Sequence, residues 1–194
     1  MTNNKKTDMI IRPATPEDAS FLGRCVCEGI GYAIFEQETE LNTQIAAGLT
    51  PLAAREDTLY SYCHALVAEV DGLPVGALIS YPGEHYHHMR NITFRELPYF
   101  RNVDFEAMQD ETGAGEYYLD TLAVLPQYRR QGIGRELMRR RIAWVEQNYP
   151  DLRISLLVDP ENLIAQPLYE SLGFTITDRN VLAFNHRFWK MVKR

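Results

Sequence analysis

The chain has 194 residues, enough for one domain with a substantial core, and its 45% hydrophobic and 24% charged residues match a folded globular protein rather than a disordered one. A formal net charge of −6 argues against broad binding to nucleic acid or to an anionic membrane, which would need a basic surplus. No stretch reaches the ~18–20 apolar residues of a membrane helix, so neither a membrane partner nor a signal segment is expected and a cytoplasmic location is the simplest reading. The three cysteines, Cys25, Cys27 and Cys63, have neither zinc spacing nor a disulfide framework and read as buried thiols.

Residues 1–8 are polar and read as a disordered tail ahead of a single domain over residues 9–194. Met9 to Arg12 reads as a first strand. Thr15-Pro16-Glu17-Asp18 has the composition of a helix start, and Ala19, Leu22, Val26 and Ile30 continue at helical spacing until Gly29 and Gly31 close that helix. Leu41, Ile45, Leu49 and Leu52 predict a second helix up to an interruption at Thr50-Pro51. Tyr62 to Val70 and Val75 to Tyr81 read as two strands around Asp71-Gly72, with Leu73-Pro74 lengthening the loop.

No clean periodicity runs through Pro82 to Gly115, where Phe100 to Met108 has room for a short helix; a long irregular segment of this kind reads as a substrate-side lid. Its run Glu84-His85-Tyr86-His87-His88 has the residue types of a metal site, but no distant Cys or His set completes a tetrahedron. Surface or substrate contact is the preferred role for these histidines, and no metal is expected. His64 and His186 stand singly in expected strands and read as packed side chains.

Tyr117 to Val124 is rich in aromatic and β-branched residues and reads as a strand that Leu125-Pro126 ends. The turn Arg129-Arg130-Gln131-Gly132-Ile133-Gly134 leads into a helix, whose unpaired N–H groups favour an anion; Arg129, Arg130 and Arg135 add positive charge suited to a phosphate or pyrophosphate. A dinucleotide fingerprint would need glycine where Leu137 stands, and a P-loop would need a Gly-Lys-Ser/Thr ending, so neither applies. Leu137, Met138, Ile142, Val145 and Tyr149 form an apolar helical stripe, with Arg135, Arg139, Arg140 and Arg141 mostly off it. Leu152 to Val158 is a nearly continuous apolar strand, completing a βαβ unit in which it runs parallel to Tyr117–Val124. Pro167 argues for a separate turn over 162–166 and a helix from there to a cap at Gly173, before a final hairpin of Phe174 to Thr177 with His186 to Val192.

The order strand, Arg-x-x-Gly-x-Gly, helix resembles the pyrophosphate loop of the GNAT acyltransferase superfamily. The later segment Asn162-Leu-Ile-Ala165-Gln-Pro-Leu-Tyr169-Glu-Ser-Leu-Gly173-Phe174 is similar to that superfamily's second signature, about 30 residues further on. The resemblance is close over Tyr117 to Phe174. It implies an α/β fold, classed by some schemes as α+β, with a mostly antiparallel central sheet of about six or seven strands, one splayed parallel pair and about four flanking helices. It further implies acetyl-CoA as co-substrate, a small-molecule or peptide amine as acceptor, direct transfer without a covalent enzyme intermediate, and a possible homodimer.

By the same resemblance Leu122, Ala123 and Val124 would offer main-chain groups to the pantetheine arm, one of their N–H groups polarising the thioester carbonyl. Arg129, Arg130, Gln131, Gly132, Ile133, Gly134 and Arg135 would hold the pyrophosphate, and Asn162 would contact pantetheine or order its loop. Tyr169 would be the general acid toward the departing thiolate. An amine acceptor must lose a proton before it attacks, and Asp120 is the first candidate base because an acid in an apolar strand is costly unless paired or used. Strand alternation would put Tyr118, Asp120, Leu122 and Val124 on one face. Glu116, at the strand's start and expected to be exposed, is the alternative base. A module that binds acyl-CoA without turnover, another acyl donor, and a hydroxyl acceptor stay open at this point.

Overall fold

Residues 9–98, 104, 109–183 and 186–193 are described in the computed structural model. Their strands are Met9–Pro13 (β1), Ala65–Val70 (β2), Leu73–Pro82 (β3), Glu116–Val124 (β4), Arg153–Val158 (β5), Phe174–Ala183 (β6) and His186–Lys193 (β7). They form one sheet in the order β1-β2-β3-β4-β5-β7-β6, antiparallel throughout except where β4 meets β5. This is the mixed sheet that was expected. The parallel pair follows from the crossover helix Ile133–Asn148 (α4), which returns the chain to the end of the sheet from which β4 began.

Two apolar layers cover the sheet. On one face Ala19–Cys27 (α1) and Glu40–Ala53 (α2) bury Leu22, Val26, Ile45 and Leu49 against Val67, Ala77, Ile79, Tyr81 and Tyr118. On the other, α4 buries Leu137, Met138, Ile142 and Val145 against Leu78, Tyr117, Leu119, Leu156 and Met191. Each fully buried Leu or Val contributes about 1.5–3 kcal/mol of transfer free energy, so these stripes carry the fold.

Several local expectations change. The α1 stripe stops at Val26, because the chain widens into a π-helical turn at Glu28–Tyr32 and leaves Ile30 48% exposed. Helix α2 runs through Pro51, whose missing donor falls in the last turn, and it leaves Leu41 in solvent. The β2–β3 connection is a two-residue turn, Asp71 and Gly72 both at positive φ, with Leu73 and Pro74 already in β3; Tyr62–His64 is a short 3-10 turn ahead of β2. The histidine run is not a loop: His85 closes a short 3-10 turn and His87 and His88 lie in the helix Tyr86–Arg95 (α3). The helix expected over 100–108 and the tail 1–8 fall on residues outside those described, Asp104 apart. Helix Ala165–Ser171 (α5) begins two residues before Pro167, which its first turn tolerates. Cys63 is exposed, whereas Cys25 and Cys27 are buried. Within the arginine run of α4, Arg141 turns inward, donating to Tyr117 Oη at 3.4 Å and to His64 O at 3.3 Å, with its guanidinium 5.2 Å from the Trp144 ring centroid. Among the described residues no helix is long and apolar enough to cross a membrane.

Candidate active site

The site begins where the β4–β5 ladder stops. Its partners are Glu116 with Arg153, Tyr117 with Ile154 and Tyr118 with Ser155, and no further pair forms although β4 runs on to Val124 and β5 to Val158. Each strand stays paired on its other edge, β4 with β3 up to Val124 and β5 with β7 up to Val158. The two strands therefore part like a V. The edge of β4 over 119–124 carries main-chain groups without a β5 partner, an arrangement that an extended ligand can complete. Leu122 and Val124 are half-buried on this stretch; the Val124 carbonyl accepts a 2.9 Å bond from Arg129 Nε.

A bulge sets which side chains meet the opening. Ile79 pairs with Thr121 and Ser80 with Leu119, so Asp120 is the extra residue on β4. That insertion breaks the expected alternation. Leu119, Leu122 and Val124 lie on the α4 face, whereas Tyr118 and Ala123 belong to the α1–α2 face, and Asp120 is hydrogen-bonded by the Tyr81 hydroxyl of that face. Thr121 Oγ1 donates to Asp120 at 2.7 Å, and the π-helical turn closes over Thr121 so tightly that a Cβ on Gly29 would stand 3.0 Å from its methyl. Burial raises the Asp120 pKa above the ordinary carboxylate range, opposed by the bonds from Tyr81 and Thr121.

At the top of the V, Arg130 and Gly132 take positive φ, and Gly132 is the N-cap of α4. A left-handed residue just before the helix turns the first N–H groups, from Ile133 on, toward one point. Gln131 Nε2 donates to Gln127 O at 3.0 Å and closes the turn. The three flanking arginines divide their work. Arg130 and Arg135 are exposed and make no ion pair among the described residues. Arg129 is committed: it pairs with Glu36 and, at 2.9 Å, with Glu28, so it ties the turn to the segment after α1.

Tyr169, on α5, packs edge-on against Phe174 with ring centroids 6.3 Å apart, and its hydroxyl makes no hydrogen bond among the described residues. Burial pushes its pKa up to about 12, which keeps the phenol protonated at neutral pH. It belongs to the cluster on the α4 face, opposite Asp120, and no hydrogen bond joins the two. Asn162 orders its loop: its side-chain oxygen accepts from the N–H of Ala165, the first residue of α5, at 3.0 Å. Glu116 sits at the closed end of the V and is buried, not exposed. It accepts from Lys190 at 2.6 Å, Ser155 at 2.9 Å and Thr112 at 3.0 Å, leaving it bound as a structural hub.

Sequence reasoning missed Glu111 and the tyrosines around it. Tyr118 donates to Glu111 at 2.6 Å and Tyr86 at 3.1 Å, and the rings of Tyr81, Tyr86 and Tyr118 pack mutually at 5.9–6.4 Å. The one available signal was the count of 11 tyrosines, but that Tyr81 lies opposite Tyr118 follows only from strand register. The histidines go elsewhere. His87 pairs with Asp110 at 3.3 Å and His186 with Asp159 at 2.9 Å, and among the described residues no three His, Cys, Asp or Glu side chains gather as a ligand set.

A mixed sheet whose parallel pair parts below a glycine turn at a helix N-terminus is the framework that the sequence resemblance implied. The chain belongs to the acetyltransferase (GNAT) family, whose model matches residues 32–174. It is similar to a crystallised acetyltransferase, at 27% identity over 95% of this chain and 98% of the other, with a TM-score of 0.72. An N-acetyltransferase from Staphylococcus aureus Mu50 is 25% identical over 94% of this chain and 99% of its own, with a TM-score of 0.75. The PaiA N-acetyltransferase from Thermoplasma acidophilum, crystallised with coenzyme A, shares the fold at 16% identity, covering 96% and 99%, with a TM-score of 0.55. No curated protein matches the chain.

Proposed function

We propose that this chain transfers an acetyl group from acetyl-CoA to an amine of a small molecule or peptide, by direct attack. The observation that carries this reading is the parting of β4 from β5 beyond Tyr118 and Ser155, which leaves backbone of β4 free to pair with an extended arm. The pantetheine of coenzyme A is such an arm, and the Thermoplasma relative was crystallised with that coenzyme. Main-chain groups of Leu122, Ala123 and Val124 would hold it. The N–H groups from Gly132 to Arg135, with the side chains of Arg130 and Arg135, would hold its phosphates, while the Arg129 side chain keeps the turn in place.

Asp120 takes a proton from the ammonium form of the acceptor, freeing the nitrogen lone pair that forms the new C–N bond. An N–H of β4 steadies the developing oxyanion, a contribution commonly of about 3–4 kcal/mol. As the C–S bond breaks, its electron pair leaves with sulfur and Tyr169 supplies the proton; the attacking nitrogen gives up its second proton to solvent, from which the phenol is restored. The elevated Tyr169 pKa suits this, because the phenol reaches that moment still carrying its hydrogen.

The test is release of coenzyme A thiol from acetyl-CoA across polyamines, amino acids, aminoglycosides and peptides, with acetyl-CoA binding measured alongside. Release above the acceptor-free background on one class establishes the reaction and names the acceptor. Binding without release on every amine favours a sensing role, and absence of binding overturns the reading.

A further inference from the structure

Arg129 stands in the phosphate turn, yet its side chain is committed to a segment about a hundred residues earlier in the chain. Nε donates to the carbonyl of Val124, the last residue of β4, at 2.9 Å; one terminal nitrogen donates to Glu28 at 2.9 Å and the other to Glu36. Each of the three guanidinium nitrogens thus has an acceptor, whereas Arg130 and Arg135 stay exposed. The two acids belong to irregular backbone. It widens into the π-helical turn at Glu28–Tyr32 and takes positive φ at Gly31 and at Ala33, a left-handed conformation that alanine resists. Side chains therefore fix it. Glu28 also accepts from Phe35 N at 3.1 Å, and the buried Asn42 of α2 donates to Tyr32 O at 3.2 Å and to Gln37 O at 2.6 Å. Phe35 stacks on Phe21 of α1 with ring centroids 6.2 Å apart. Those holds come from α1 and α2, and Arg129 adds one from β4 and the phosphate turn. The place matters, because Gly29 of the same π-helical turn presses on Thr121, and Thr121 donates to Asp120.

We propose that Arg129 is a positioning residue for the acceptor and not a ligand of the coenzyme phosphates: by clasping Glu28 and Glu36 to the end of β4 it seats residues 28–36 over Thr121 and Asp120. The proposal rests on the acetyl-transfer reading, in which Asp120 takes the acceptor's proton, and names a residue that fixes the surroundings of that base. A planar guanidinium serves three acceptors in a fixed geometry, which a point charge does not. Glu28 is the less exposed acid, 16% against 50% for Glu36, so its bond is screened less and carries more of the clasp. One cation against two acids leaves a net negative charge beside the phosphate turn. Handing Arg129 to a phosphate uncovers both carboxylates next to that anion, so clasp and phosphate ligation oppose each other. The phosphates are left to the main-chain N–H groups of the turn and to Arg130 and Arg135.

The experiment is steady-state kinetics with both substrates varied, on the best amine, for the wild type, Arg129→Gln, Glu28→Gln and the double variant. Acetyl-CoA affinity is measured by calorimetry and folding by circular dichroism. The amine KM rises about five- to tenfold in each single variant, and the double variant is no worse than Arg129→Gln alone. Acetyl-CoA affinity and kcat stay within about threefold. Should Arg129→Gln fail to fold, Glu28→Gln decides alone, because it keeps an acceptor for Phe35 N. A loss of acetyl-CoA affinity of about tenfold in Arg129→Gln with the amine KM unmoved overturns the proposal and returns Arg129 to the phosphates. Acetyl-CoA binding about tenfold tighter in Glu28→Gln does the same, since it reveals a phosphate ligand released from its acid. Equal losses toward both substrates mark general loosening and also overturn it. If no amine supports thiol release, the transfer reading fails and the proposal falls with it; an unmoved KM on an amine that is acetylated overturns the proposal alone.

Discussion

Glu116 offers the sharpest separation between a structural and a catalytic carboxylate. Its side chain is about one-tenth exposed and accepts from Lys190, Ser155 and Thr112, the lysine itself being 19% exposed. Glu116→Gln keeps the shape and an acceptor for one hydroxyl but removes the charge opposite Lys190. Stripping one partner from a buried ion pair costs about 3–5 kcal/mol. Lys190 retains some access to water, and its second bond, to Glu111 O, survives, so about 2–3 kcal/mol is expected here. For a domain of this size each kcal/mol lowers Tm by about 2–4 °C, which predicts a fall of about 4–12 °C. Circular dichroism melts of wild type, Glu116→Gln, Lys190→Met and the double variant measure this, and the double variant should lose less than the sum of the singles. Thiol release per folded molecule, at a temperature where both proteins are folded, should stay within about fivefold, well short of the loss on removing a general base. A Tm unchanged within a degree, together with a hundredfold loss of turnover, would refute the structural assignment and restore Glu116 as a base.

Replacing Tyr169 with Phe should lower turnover by on the order of 10²–10⁴, the range for a general acid, while acetyl-CoA affinity stays within about threefold; unchanged turnover would remove it as the proton donor. Gly132→Ala meets no protein atom within 4 Å but must adopt a φ of about +83°, so it should fold with a loss of about 1 kcal/mol and bind acetyl-CoA at least about tenfold more weakly. Calorimetry decides that point, and a folded variant with full affinity would dismiss the phosphate turn. His64 gives a pH dependence. Burial first, then the Arg141 cation, depresses its pKa to about 4, so the folded state holds it neutral while the unfolded chain takes up a proton below about 6.5. Its contribution to stability is thus present above about pH 6.5 and is lost as pH falls toward 4, by up to about tenfold in the folding constant per pH unit. Urea titrations should show a shallower acid slope for His64→Asn across that window, and identical slopes would contradict the assignment.

Local chemistry made much of this protein legible from its sequence. The tight turn at Gly132, the apolar stripe of α4 and the strand ended by Pro126 are decided by backbone sterics and by apolar side chains within a few residues of one another, and each stands where the spacing put it. Tertiary structure decided the rest, because the deciding partner is distant in sequence. Asp120 keeps the face of Tyr118 but parts from Leu122 and Val124 because the register of β3 against β4 slips by one residue, and no pattern within β4 records its neighbour's spacing. Glu116 became a hub through Ser155 and Lys190, Arg129 was spent on Glu28 and Glu36, and Glu111 met Tyr86 and Tyr118 only once α3 and β4 had packed. Local spacing reports where a chain bends and which side it buries. The charge a buried carboxylate can hold depends on what folding brings against it.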